Sequence, residues 1–158
     1  MRKTISYLAV ITLLFAFLAT PTSAIQYETT YLSPTVTYFE DGSYVVTVIS
    51  EEMAENSASL LSVSKTKMAT KDAHYYDSEH VLQFTVSVNA TFSYDGRTSK
   101  AVRAAYKYHI SSPNWQFISG DKQCEGATAT ATCSFRYMNR HYNTMSASIS
   151  CAPDGTLS

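Results

Sequence analysis

Val81-Leu82-Gln83-Phe84-Thr85-Val86-Ser87-Val88-Asn89-Ala90-Thr91-Phe92 repeats with period two. Leu82, Phe84, Val86, Val88 and Phe92 share one face, and Gln83, Thr85, Ser87, Asn89 and Thr91 share the other. That is the pattern of a β-strand with one face on a core and the other in water. Working outward, further strands are predicted at Lys65–Tyr76, Ser99–Ile110, Trp115–Cys124, Ala127–Tyr137 and Asn143–Cys151, with Val81–Tyr94 as the central one. Turn residues separate them: Asp77 to His80, Asp95-Gly96-Arg97, Ser111 to Asn114, Glu125-Gly126, and Met138 to Tyr142. Strands at regular spacing predict an all-β fold, an antiparallel β-sandwich (immunoglobulin-like or similar) of about six to eight strands. In Ala127 to Thr132, alanine alternates with threonine, and such small residues let two sheets approach closely.

Upstream, Val36–Phe39 and Tyr44–Ile49 flank Glu40-Asp41-Gly42-Ser43. Asp-Gly between two β-rich runs predicts a hairpin, because glycine tolerates the positive φ of the turn. Ser50 to Ser64 could form a helical turn or two, but it shows no full amphipathic period and reads as an acidic linker. From 25 to 64 there are six acids and no Lys or Arg, whereas from Lys65 onward there are ten basic and seven acidic residues. This shift marks a boundary near residue 64, giving an acidic segment at 25–64 and a sandwich domain at 65–158.

The 158 residues are 45% hydrophobic and 16% charged, too apolar for a disordered chain. Net charge is −1, and a near-neutral balance excludes a general nucleic-acid binder, which needs a basic footprint. Met1-Arg2-Lys3, an apolar run from Ile5 to Ala19, and Thr20-Pro21-Thr22-Ser23-Ala24 form the three regions of a secretory signal, with cleavage expected after Ala24. The run is short of the ~20 residues that span a bilayer. Residues 25–158 are then expected to be secreted, with no stable membrane insertion. Loss of Arg2 and Lys3 takes the net charge to −3.

Several short motifs occur in a fixed order: Asp41-Gly42-Ser43-Tyr44-Val45-Val46-Thr47, Tyr75-Tyr76, Phe84-Thr85-Val86 running into Ala90 to Gly96, Trp115, Ala127 to Thr132, and Cys151-Ala152-Pro153-Asp154-Gly155-Thr156-Leu157-Ser158. With the signal sequence, this order resembles a family of small secreted β-sandwich proteins of Gram-positive gut bacteria, mainly clostridia. The resemblance implies a secreted β-sandwich and implies no reaction. It also implies cysteines at the positions of Ala101 and Cys151. Ala101 lacks that thiol, and Cys124 and Cys133 stand as additions.

Three cysteines leave at least one unpaired within the chain. A two-residue turn at Glu125-Gly126 sets Cys124 opposite Ala127, Cys133 opposite Ile118, and Cys151 near Thr128 or Ala129. A Cys124–Cys151 bridge then crosses one strand, ~9.6 Å, and requires the chain to bend. Three free thiols are the alternative.

No nucleophile elbow and no zinc helix is present, so no catalytic residue and no cofactor is predicted. His74, Asp77, Glu79 and His80 cluster at one turn and could ligate a metal, but polar residues are ordinary at a hairpin end, and no metal site is assigned. Asn89-Ala90-Thr91 is a glycosylation sequon inside a strand and is read as incidental. Aromatic residues remain. Trp115 follows the Ser111 to Asn114 turn and is either a core plug or an exposed platform. Trp115, Asn114, Tyr106 and Tyr108 are the candidate binding residues, since tyrosine and tryptophan join an apolar face to a polar tip. The function expected is non-enzymatic binding of a protein or glycan. The alternatives are a self-associating structural protein, a membrane-active β protein and, last, a hydrolase.

Overall fold

The computed structural model describes residues 28–53 and 64–158. The expected signal peptide and most of the expected linker lie outside these residues. Nine strands are formed: β1 (Glu28–Tyr31), β2 (Thr35–Tyr38), β3 (Tyr44–Met53), β4 (Lys65–Tyr76), β5 (Leu82–Tyr94), β6 (Ser99–Ile110), β7 (Trp115–Glu125), β8 (Thr128–Tyr137) and β9 (His141–Ser150). There is no helix among the described residues, and all pairing is antiparallel. The fold is an all-β sandwich.

The larger sheet has the order β1-β3-β4-β5-β6, with β2 also on β3. β1 and β2 lie end to end along β3, separated at Leu32-Ser33-Pro34, and the Leu32 N–H still donates to Ile49 O at 2.8 Å. The smaller sheet is β7-β8-β9. Consecutive strands are neighbours from β3 to β6 and again from β7 to β9.

The predicted Asp-Gly hairpin is present, with Gly42 at φ +83°. Asp41 closes it by accepting from the Ser43 N–H and hydroxyl, at 3.0 and 2.6 Å. Its second arm is longer than expected, because Ser50 to Met53 continue β3. Glu51 and Glu52 are strand residues paired with Ala69 and Met68. Glu51 also meets Lys67 at 2.7 Å. The acidic first segment is therefore built into the larger sheet through the β3–β4 ladder.

Aromatic rings crowd the Phe84 end of the core, and alanines from both sheets pack with Phe92, Ile149 and Leu157 toward the other. Phe84, Phe92, Phe135, Ile149, Val86 and Val88 are fully buried, and Phe84 stacks on Phe135 with centroids 4.1 Å apart. Ala129, Ala131 and Ala147 face inward from the smaller sheet. Their neighbours face outward, where four hydroxyl pairs link β8 to β9: Thr128–Ser150, Thr130–Ser148, Thr132–Ser146 and Ser134–Thr144. The Ala/Thr strand thus lets the sheets approach and also stitches its own outer face. On β5 the predicted apolar face is the buried one, but Gln83 and Thr85 on the opposite face are buried too.

The β7–β8 turn is displaced from its expected position. Glu125 pairs with Thr128, so the loop is Gly126-Ala127, with Gly126 at φ +55° in the first loop position. This moves the register by two residues. Cys124 lies opposite Ala129, and Cys133 opposite Gly120. Cys124 is exposed, Cys133 and Cys151 are buried, and all three thiols are free. The Cys124–Cys151 bridge is not formed, because β8 separates the two strands without the required bend. The same turn ties the sheets together. Its Gly126 carbonyl accepts from the Ala101 N–H at 2.9 Å, and its Ala127 carbonyl from the Cys151 N–H at 3.1 Å.

Candidate binding site

At the aromatic end of the sandwich a cleft of about 250 Å³ is lined by Tyr75, Asp77, Gln83, Trp115, Tyr137 and His141. Four local features build it. Trp115 opens β7 directly after the Ser111 to Asn114 turn, and its N–H donates to Ser112 O at 3.2 Å. Register places Tyr137 opposite Trp115 and His141 opposite Tyr137. Tyr75 comes from the end of β4, beside the irregularity in its pairing with β5. Asp77 starts the next turn.

Gln83 is the fixed point. Its amide nitrogen donates to Asp77 Oδ2 at 2.6 Å and to Val81 O at 3.1 Å. Its amide oxygen accepts from Trp115 Nε1 at 3.1 Å. Its backbone carbonyl accepts from the Ser111 and Ser112 N–H groups, which fold the turn over it. This explains why a polar residue on the outer face of β5 is buried: its hydrogen-bonding groups are met inside the protein. Asp77 is equally committed, since Oδ1 accepts from the Glu79 and Val81 N–H groups at 3.0 and 2.9 Å.

Trp115 combines the two roles read from the sequence. It is half-buried, edge-on to Phe84 at 4.9 Å and to Tyr75 at 6.3 Å, and tilted against Tyr137 at 5.1 Å. One side is core and the other forms the cleft wall. The other candidates lie elsewhere. Tyr108 stacks flat on Phe117 at 3.9 Å, and Tyr106 lies 6.3 Å from the same ring. They form the seam between β6 and β7, where a Cβ on Gly120 would come within 2.5 Å of the Tyr106 ring. Asn114 contributes its carbonyl, which accepts from the Met138 N–H at 2.9 Å and joins the two turns beside the cleft.

The His74, Asp77, Glu79 and His80 group is dispersed. His74 Nδ1 pairs with Thr85 Oγ1 at 2.9 Å on the outer face of the larger sheet. His80, at φ +65°, lies against Tyr44 at 5.6 Å. No three His, Cys, Asp or Glu side chains converge among the described residues. Around the corner from the cleft, Tyr38, Tyr44 and Tyr76 form a ladder across three strands, with centroids 5.4 and 4.9 Å apart. Burial, then the neighbouring Tyr76 and Tyr38, raises the pKa of the Tyr44 phenol.

Sequence reasoning found Trp115 and missed Tyr75, Gln83, Tyr137 and His141. Tyr137 and His141 were within reach of a correct β7–β8 register. Tyr75 and Gln83 become site residues only through packing between strands and turns. No protein-family model matches the chain, and no curated protein and no solved structure matches it.

Proposed function

We propose that this is an exported, non-enzymatic binding module that holds a glycan in the Trp115–Tyr137–Tyr75 cleft. The observation that carries this reading is a concave aromatic wall of Trp115, Tyr137 and Tyr75 with an exposed imidazole, His141, at its rim. Aromatic faces stack on the C–H faces of a sugar ring, and a few positioned polar groups orient its hydroxyls. A cleft of this size takes one ring, and His141 at its exposed rim offers a donor or acceptor. Binding is favoured over catalysis because Asp77 accepts three hydrogen bonds and serves as an anchor rather than a free base. The Met1 to Ala24 address supports export.

Trp115 is the only tryptophan in the chain, so its fluorescence reports the cleft directly. Titration with a panel of soluble oligosaccharides (glucose, galactose, mannose and N-acetylglucosamine oligomers) should give a saturable change with at least one class. That change should be lost in Trp115→Phe and weakened in His141→Ala. Tyr142→Ala, on the opposite face of the β9 start, should bind normally. A panel that leaves the fluorescence unchanged throughout overturns the glycan reading.

A further inference from the structure

The two sheets differ in width. β9 packs over β4 and β5, so β3 and the β1–β2 edge extend past it with no opposing strand among the described residues. Under this overhang a cleft of about 320 Å³ opens between Phe39, Val45 and Tyr75 on one side and Asn143 to Met145 of β9 on the other. One wall is apolar side chain and the other is a strand edge.

The direction of the β9 backbone groups follows from one hydrogen bond. The Cys151 N–H donates to Ala127 O, which makes 127 and 151 a hydrogen-bonded pair. With period two, Ile149, Ala147, Met145 and Asn143 turn their backbone groups toward β8. Ser150, Ser148, Ser146 and Thr144 turn theirs to the other edge. The hydroxyl pairing of these four with β8 agrees, because side chains are closest in the non-hydrogen-bonded pairs. Ser150 demonstrates the direction. Its N–H donates to Ser158 O at 2.9 Å, and its carbonyl accepts from the Ser158 N–H at 3.0 Å. An antiparallel bridge between Cys151 and Leu157 continues the contact. Residues 157 and 158 thus pair with the outer edge of the smaller sheet at Cys151 and Ser150.

Beyond Ser150, Ser148, Ser146 and Thr144 present the same template, and no strand pairs with them among the described residues. β9 carries none of the usual devices that blunt an edge. It has no Lys, Arg, Asp, Glu or Pro, and its register with β8 runs unbroken over ten pairs.

We propose that β9 is the docking edge for one extended polypeptide segment of a partner protein. The segment adds antiparallel to β9 alongside Ser148, Ser146 and Thr144, in line with the C-terminal pairing already present. Its alternate side chains enter the Phe39–Val45–Tyr75 cleft and are apolar. Asp41 is the charged residue at the cleft, so the segment is neutral or basic at that end. The sheet geometry selects a strand over a second whole copy. Joining two β9 edges antiparallel, about a two-fold axis normal to the sheet, would place both larger sheets on the same side. Each overhangs by two strand positions, ~9.6 Å, and they would occupy the same space. The overhang therefore admits a strand and excludes antiparallel pairing of two copies. Strand addition of this kind takes its affinity from main-chain hydrogen bonds and its specificity from alternate side chains. The edge site shares Tyr75 with the glycan cleft but takes its backbone template from β9.

The test uses the intact secreted chain and a displayed library of random ten-residue peptides. Enriched peptides should alternate apolar with polar residues. N-methylation of a selected peptide should weaken binding at least tenfold at every second position. Ser146→Pro removes an N–H that faces the free edge and leaves the β8 ladder intact, so it should weaken binding at least tenfold. Ser146→Ala should bind as the parent does. Far-UV circular dichroism checks the fold of the proline variant. Ser146→Lys, an exposed edge charge, gives the same reading if proline disturbs the strand. Lys122→Ala, exposed on β7 at the far edge of the smaller sheet, should leave peptide binding unchanged. The proposal is overturned by a library that yields no alternating binders, by equal affinity for the parent and both edge variants, or by a concentration-dependent dimer that the edge variants dissolve.

Discussion

Replacing Gln83 with methionine keeps the side-chain volume and removes the hydrogen bonds around which the Trp115 cleft is built. Three contacts are lost: amide nitrogen to Asp77 Oδ2 at 2.6 Å, amide nitrogen to Val81 O at 3.1 Å, and Trp115 Nε1 to the amide oxygen at 3.1 Å. A hydrogen bond to a charged group contributes about 1.5–3 kcal/mol, and a neutral one about 0.5–1.5 kcal/mol. The indole N–H of half-buried Trp115 can regain water, which reduces its share. Asp77 keeps its two backbone donors, so the turn itself survives. The net loss should be about 2–4 kcal/mol. With a urea slope of roughly 1.5–2 kcal/mol/M for a domain of this size, the midpoint should fall by about 1–2.5 M. Urea unfolding followed by Trp115 fluorescence measures this directly. Gln83→Glu separates the contributions. It keeps the acceptor for Trp115 but sets a second carboxylate beside Asp77. Its folded-state pKa is thereby raised above the unfolded value, so the penalty is present at neutral pH and is relieved as pH falls and one proton is shared. A midpoint within ~0.3 M of the parent for Gln83→Met would refute the role given to Gln83.

Three other outcomes follow from the structure. Cys124 is exposed, while burial raises the thiol pKa of Cys133 and Cys151, so iodoacetamide at neutral pH should alkylate one cysteine in the folded protein and three in urea, counted by mass. The pKa values of Asp95 and Asp154 lie below the ordinary 3.8, chiefly through hydrogen bonds from the backbone of Thr98 and Thr156; that of Asp41 is lowered chiefly by the Ser43 hydroxyl. Each is a depressed carboxylate, so its stabilisation is present above the unfolded pKa and is lost as pH falls through the lower folded value. Thermal melts should therefore drop below about pH 4, and Asp95→Asn with Asp154→Asn should flatten that slope. Gly120→Ala would place a Cβ 2.5 Å from the Tyr106 ring. The overpacking should cost about 1–3 kcal/mol, and Tyr106→Ala in the same chain should return part of it, read in a double-mutant urea cycle.

The fold was legible because alternation over β4, β5 and β8 depends only on side chains and a period of two. What failed did so for local physical reasons. A glycine in a two-residue hairpin serves either loop position, according to which one needs positive φ. Gly126 takes the first position, and that choice slid Cys124 from Ala127 to Ala129. Ser50 to Met53 looked like linker because the stretch to Ser64 shows no full amphipathic period. Its inward carboxylate on Glu51 is matched by Lys67 from the next strand, a pairing with no local signature. Gln83 was assigned to the wet face by period alone. It is buried because Ser111 and Ser112, nearly thirty residues away, donate to its carbonyl. Trp115 was visible as a lone aromatic after a turn, but its cleft needed residues from four other strands and a turn.

The mismatch in sheet width connects the two proposed surfaces. Tyr75 lines both clefts, the glycan cleft with Trp115 and the edge cleft with Phe39 and Val45. Its ring lies 5.0 Å from Phe84, 6.3 Å from Trp115 and 6.5 Å from Phe39, so a line of packed aromatic rings runs from one cleft to the other. The smaller sheet could approach closely because Ala129, Ala131 and Ala147 face the core. Having three strands against the wider sheet, it leaves Tyr75 near its margin rather than under its centre. A wider smaller sheet would bury Tyr75 and close the edge cleft. The three-strand width of the smaller sheet is therefore what both surfaces depend on.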